Sequence, residues 1–285
     1  MCLRYHSASM TSVASDGLPA RESGEWASDK LFYVARYMDI LTGSMKSRWA
    51  RRVYVDLMSG PGVCLVRGTR REFDGSPILA LKTPTPFTDV ILVEQDPVLG
   101  DALARRVVAP GLRPPPVIIR DDCNRQSVLD EILARIGSDA LALAFVDLLG
   151  MNVTMATLRA LTAKQSPVDL IITFPEMDVT RNWRAATRGA SEHAGRFDEF
   201  FGTPKWRSAV DSSKPPDRNA DALMKFYAKQ LEDFGYLTSI LPLTMKNKRK
   251  GTLYRPIFGS RHNRGIEFWE KISAKKEPSG QRRLL

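Results

Sequence analysis

Ser59-Gly60-Pro61-Gly62 closes the run Val53-Tyr54-Val55-Asp56-Leu57-Met58. Valine and tyrosine favour a strand and Ser-Gly-Pro-Gly cannot extend one, so the backbone must turn just after a buried strand. A turn without bulky side chains at the carboxyl end of a central parallel strand lets a ligand lie against the main chain, which is where open α/β sheets bind. Leu65 stands where G-x-G-x-x-G needs its last glycine, and no Gly-Lys-Ser/Thr follows, so the turn fits neither dinucleotide nor ATP phosphates.

Three further apolar runs end in carboxylates. Asp89-Val-Ile-Leu-Val93 leads into Glu94, Val117-Ile-Ile-Arg120 leads into Asp121-Asp122-Cys123-Asn124, and Leu141 to Val146 leads into Asp147. A carboxylate ending the second strand can accept hydrogen bonds from both hydroxyls of a ribose. Asp122 can accept from an adenine amino group while the backbone around Cys123 meets the ring edge and Asn124 orders the turn; capping the following helix is the alternative. Glycine turn, Glu94, Asp122 and Asp147, in that order, suit a ligand made of an adenine, a ribose and an amino-acid tail, which is S-adenosylmethionine. Its candidate contacts are Asp56, Ser59, Gly60, Pro61, Gly62, Glu94, Asp122 and Cys123. In-line methyl transfer needs alignment and a charge-matched site. Asp147 is the candidate catalytic residue, taking a proton or hydrogen bond from an amine or hydroxyl nucleophile, or else holding the methionine amino group.

These groups need a scaffold, and the pattern around them supplies one. Leu31, Val34, Met38 and Leu41 recur at helical spacing from Ser28, with Lys30 expected as a surface lysine and a ligand contact as its alternative. Glu94 lies 38 positions after Asp56 (94 minus 56), and the charged, irregular stretch Arg67 to Asp74 accounts for the excess over about 20 in a compact unit. Ser76 is placed to cap a helix that begins at Pro77, and Asp96-Pro97 starts the next. A fifth strand spans Val168 to Phe174. Alternation of apolar strand and amphipathic helix predicts an α/β fold whose mostly parallel sheet is covered on both faces. Tyr236 to Leu243 and Thr252 to Gly259 are expected as an antiparallel edge pair. Residues 176 to 220 are expected to form a cap over the strand ends. Within them Arg181, Arg184 and Arg188 share one helical face beside Trp183 and are the candidate substrate contacts; a solvated, salt-bridged face is their bland alternative.

With 285 residues and 43% hydrophobic content, the chain can bury one large core. Residues 28–273 are expected to be that domain, with 1–27 a loosely ordered lead-in and 274–285 a basic tail. The longest apolar run, Ala140 to Val146, is too short to span a bilayer, and Met1 to Ala27 lacks the apolar segment of a secretory signal, so the protein is expected in the cytoplasm. Cys2, Cys64 and Cys123 are scattered, and with His6, His193 and His262 they form neither a metal spacing nor a disulfide framework. A net charge of +10 makes a polyanion such as nucleic acid the first candidate partner.

As a set, these residues resemble the three-Cys-motif partner proteins, which are S-adenosylmethionine-dependent methyltransferase-like. The likeness covers most of the chain from Trp26 onward. It rests on Trp26 with Lys30, Asp56-Leu-Met-Ser-Gly-Pro-Gly62, Gly75-Ser-Pro77, Glu94, Asp122-Cys-Asn124 and Phe145-Val-Asp147. Leu253-Tyr254, Phe258-Gly-Ser260, Gly265 and Trp269 complete it. The resemblance implies a Rossmann-like class I methyltransferase fold and a partner carrying a three-cysteine motif. It also marks a departure: where the family has Asp-Pro-Phe-Gly, this chain has Asp147-Leu148-Leu149-Gly150, without the aromatic that could stack on a base. Two functions follow as expectations, a methyltransferase acting on nucleic acid and, as its rival, a non-catalytic binding subunit of such a partner; a protein or small-molecule methyltransferase is a further alternative.

Overall fold

A computed structural model describes residues 11–163, 167–188, 192–240, 245–246 and 251–274. In chain order the first elements are β1 (Thr11–Val13), β2 (Pro19–Ser23), α1 (Trp26–Met45), β3 (Arg51–Asp56), β4 (Val63–Val66), β5 (Glu72–Asp74) and α2 (Ser76–Leu81). Then come β6 (Asp89–Val93), α3 (Pro97–Arg106), β7 (Val117–Ile119), α4 (Gln126–Ile136), β8 (Ala140–Val146), α5 (Met155–Thr162) and β9 (Val168–Phe174). The chain continues through α6 (Glu176–Thr187), α7 (Glu192–Phe201), a 3-10 turn at Pro204–Ala209 and α8 (Pro216–Glu232). It closes with β10 (Leu237–Ile240), β11 (Met245–Lys246), β12 (Thr252–Ser260) and α9 (Asn263–Ser273).

The main sheet runs β10-β12-β9-β8-β3-β6-β7, with β11 paired to β12. Strands β3, β6, β7, β8 and β9 are parallel to their neighbours, whereas β12 pairs antiparallel with both β9 and β10. Counted by chain order along that path, the strands stand 3-2-1-4-5-7-6. The glycine turn therefore follows the first, central strand, at the point where the order reverses.

Period-2 alternation sends alternate side chains to two cores. Val53 and Val55 join Ile91, Val93, Ala142, Ala144, Leu170 and Ile172 on one face, under α4 to α8. Tyr54, Val90, Leu92, Leu143, Phe145 and Phe258 line the other, under α1, α2, α3 and α9. Leu31, Val34, Met38 and Leu41 of α1 are all buried there, each side chain stabilising the fold by about 1.5–3 kcal/mol relative to exposure. Asp96 caps α3, its side chain accepting from the backbone N–H groups of Val98 and Leu99.

Four expectations need correction. Residues 11–23, expected as a loose lead-in, supply β1 and β2, and β2 pairs in parallel with β4 in a separate sheet ordered β1-β2-β4-β5. The stretch Arg67 to Asp74 is not irregular throughout: its end forms β5, antiparallel to β4. Helix α2 has Gly75 as its cap, one residue before Ser76, whose hydroxyl is engaged elsewhere. Residues 176–220 are helical, but Val179, Trp183, Phe197, Phe200, Phe201 and Trp206 pack into the first core, so the segment covers a sheet face and is not merely a lid over strand ends. The expected edge pair is present as β10 and β12, while 241–243, 247–250 and the tail from 275 lie outside the described residues.

Candidate functional site

The parallel strands stop at staggered positions, and short backbone bonds tie their ends into one rim. Leu57 donates from its N–H to the Phe145 carbonyl at 3.2 Å, Ser59 to Val93 at 2.9 Å, and Glu94 to Ile119 at 3.0 Å. These bonds bring the ends of β8, β3, β6 and β7 together in that order. Gly60 and Gly62 have φ of +66° and +86°, values that favour glycine, and Gly60 is what lets the turn double back beside Glu94.

Glu94 is buried. Its Oε2 accepts from the Gly60 N–H at 2.7 Å, its Oε1 from the Asp96 N–H at 2.9 Å, and an Arg21 guanidinium nitrogen stands 3.8 Å from Oε2. Each carboxylate oxygen keeps lone-pair capacity for another donor. The Arg21 guanidinium lies over the turn, since a Cβ built on Gly60 would meet its central carbon at 3.4 Å. Arg106 buttresses the same place: its guanidinium donates to Asp16 and to the carbonyls of Leu18, Pro19 and Pro61. Neither arginine was singled out from sequence, because the strands and helix that bring them here are far apart along the chain.

Asp56 is fully enclosed. Its carboxylate accepts from the Tyr54 hydroxyl at 3.0 Å and the Met58 N–H at 3.3 Å, with the Ser76 hydroxyl beside it. Burial pushes its pKa up to about 6 against the pull of those hydrogen bonds. Asp56 thus braces the turn from beneath, and Ser59, also buried, donates from its hydroxyl to the Asp56 carbonyl at 3.3 Å. Pro61 and Gly62 continue the turn, and the Gly62 carbonyl accepts from the Gly75 N–H at 2.7 Å, fastening it to α2.

Asp122 is half-buried on the neighbouring rim position and accepts from both the backbone N–H and the side-chain amide of Asn124, each at 2.9 Å. The Asn124 amide also donates to the Asn152 carbonyl at 2.8 Å, and Asn152 reaches the Met58 sulfur at 3.3 Å. The β7 turn, the loop after β8 and the glycine turn are therefore one connected surface. Cys123 is buried, and burial with the Asp122 charge pushes its thiol up to about 12, so it keeps its proton.

Asp147 is not an open carboxylate. Its Oδ2 pairs with the Lys30 ammonium and its Oδ1 accepts from the Thr173 hydroxyl at 3.0 Å. Lys30, expected on the surface, is buried; Val34, Tyr37 and Leu41 lie four, seven and eleven residues beyond it on the same helical face, which is the signal that could have placed it. Of the proposed substrate contacts, Arg181, Arg184 and Arg188 are exposed, whereas Trp183 is 1% exposed in the core and cannot meet a substrate. Arg184 stacks over its ring at 5.3 Å. Further along the rim, a cavity of about 310 Å³ is lined by Glu176, Asp221 and Arg255, whose mutual ion pairs already satisfy it.

No protein-family model and no curated protein matches this sequence. Among solved structures, protein LPL1258 from Legionella pneumophila matches 85% of this chain and 90% of its own, at 11% identity and a TM-score of 0.50. The methyltransferase domain of bacterial CtHen1-C matches 80% of this chain and 98% of its own, at 15% identity and a TM-score of 0.41. Taken with the 3-2-1-4-5-7-6 order and its reversed seventh strand, the architecture is decided. The chain has a Rossmann-like class I methyltransferase fold. In a class I fold the described rim is the ligand-binding edge of the sheet, and among the described residues no helix is long and apolar enough to cross a membrane.

Proposed function

We propose that this chain is an S-adenosylmethionine-dependent methyltransferase acting on nucleic acid, in company with a protein that carries a three-cysteine motif. The observation that carries the reading is the Glu94 carboxylate seated against the Gly60 N–H at 2.7 Å, at the strand-order reversal, with Asp122 on the same rim. The residues fit the cofactor, because Glu94 keeps an accepting lone pair on each oxygen for a ribose hydroxyl and the positive-φ glycines leave main chain bare beside it. Glu94 would hold the ribose, and Asp122 with the backbone at Cys123 would meet the adenine. Ser59, Gly60, Pro61 and Gly62 would lie along the tail, with Asp56 holding their turn. When bound, the cofactor supplies a methyl group on a sulfonium. The chain supplies alignment and a charge-matched surround.

Asp147-Leu148-Leu149-Gly150 favours a second reading, a fold retained for binding without turnover. Leu148 is buried and no aromatic follows Asp147 in its loop. Calorimetric titration with S-adenosylmethionine and labelled methyl transfer into RNA, DNA, protein and small-molecule fractions, with and without the three-cysteine partner, separate the two. Saturable heat and label in a nucleic-acid fraction are expected, with Glu94→Gln weakening cofactor binding about tenfold through loss of charge-assisted hydrogen bonds. Heat without label in any fraction supports the scaffold; no heat at all ends both.

A further inference from the structure

The Lys30 ammonium stands 5.5 Å from the Trp26 ring centroid and 5.9 Å from those of Phe145 and Tyr254. Phe145 is buried, but Trp26 and Tyr254 are half-buried, with ring centroids 4.9 Å apart and planes inclined by 30°. Burial, reinforced by the Asp147 charge, pushes the Tyr254 hydroxyl well up from its ordinary range. Helix α1, β8 and β12 thus meet around one ion pair at the end of the strand next to the glycine turn. Replacing a buried ion pair by apolar groups is often neutral or stabilising, so stability alone gives no reason for a lysine here. A fixed carboxylate does. With Oδ1 on Thr173 and Oδ2 on Lys30, the Asp147 group has one orientation and retains lone pairs for a further donor.

We propose that Trp26, Tyr254, Asp147 and Lys30 form an acceptor subsite for a nucleobase of single-stranded nucleic acid. The two rings offer it a flat apolar face, Asp147 accepts an N–H from its exocyclic amino group, and Lys30 is the positioning residue that holds the carboxylate. The aromatic surface missing from the loop after β8 is supplied by α1 and β12. This inference rests on the methyltransferase reading of the same rim and adds its acceptor.

The test is binding, measured by fluorescence anisotropy on the full chain with oligonucleotides that differ by one group. Oligocytidylate against oligouridylate, and oligoadenylate against oligoinosinate, exchange an amino for an oxo group on the same ring. In at least one pair the amino-bearing oligomer binds about tenfold tighter. Trp26→Ala and Tyr254→Leu each weaken it about tenfold, the range of one base–aromatic stack. Asp147→Asn and Lys30→Met abolish the preference for the amino group with little loss of overall affinity, and Lys30→Arg restores it; a merely structural lysine would not show that rescue. Circular dichroism confirms that each variant folds, and Tyr254→Leu carries the stacking test if Trp26→Ala does not. Equal affinity for both members of both pairs overturns the proposal, as does unchanged preference in Lys30→Met. If S-adenosylmethionine gives no heat while the amino preference and its loss in Lys30→Met persist, the subsite stands and the methyltransferase reading falls.

Discussion

Asp56 is a carboxylate that the fold both buries and hydrogen-bonds, and the two effects oppose one another. Burial wins, lifting the group to about 6 from 3.8. Because the folded value lies above the unfolded one, the folded state holds the proton more tightly. That stability is complete below about pH 4 and is lost as pH rises through about 6, by up to about 3 kcal/mol. Asp56→Asn removes the titration while keeping an acceptor for Tyr54 and Met58. The difference in thermal midpoint between Asp56→Asn and the parent should therefore move in favour of the variant between pH 4.5 and pH 7.5. A difference that stays flat across that range would show that Asp56 is not the titrating group. At this scale the sequence located the rim well: the residues chosen as strand-end carboxylates do come together. It misplaced Lys30 and Trp183, each read from its own chemistry and not from its helical face. Val179, Trp183 and Ala186 form the inward stripe of α6 while the arginines beside them face out.

Among the elements, the unexpected one is the small sheet β1-β2-β4-β5. The parallel strands and the helices between them were legible because each carries its own periodicity over several residues. β1 and β2 were not, since they are short and β2 finds its parallel partner more than 40 positions away, at Cys64 to Val66. Contacts of that kind leave no local pattern. What fastens the small sheet to the glycine turn is Arg106, whose side chain reaches Asp16, Leu18, Pro19 and Pro61 from α3. Arg106→Met leaves buried carbonyls without donors and should destabilise the protein by about 2–3 kcal/mol. The loss should also be local: protease cleavage near residues 14–20 should accelerate more than cleavage in α4 or α8, and S-adenosylmethionine affinity should fall because Arg21 is carried on β2. Uniform acceleration at all sites would mean that the small sheet unfolds only with the whole domain.

For the molecule as a whole, the excess of 42 basic over 32 acidic residues is a statement about long-range attraction, and fold alone does not require it. Many of these charges are spent locally: Arg51, Arg106, Arg135, Arg207 and Arg255 all have carboxylate partners. Arg181, Arg184 and Arg188 are exposed along α6, which begins directly after β9 at the ligand edge of the sheet. If they contact phosphates of a single strand, each contributes about 0.7 to the slope of log affinity against log salt. Changing all three to Gln should flatten that slope by about 2 and weaken binding most at low salt. Thermal stability should hardly move, since exposed substitutions away from caps and cores cost little. Lys30→Met supplies the contrast, because its ammonium is consumed by Asp147 and should leave the slope unchanged. Salt titrations of the parent, the triple variant and Lys30→Met against one oligonucleotide therefore separate the surface that attracts the strand from the residues that select its base. An unaltered slope in the triple variant would remove α6 from the binding surface without touching the acceptor subsite.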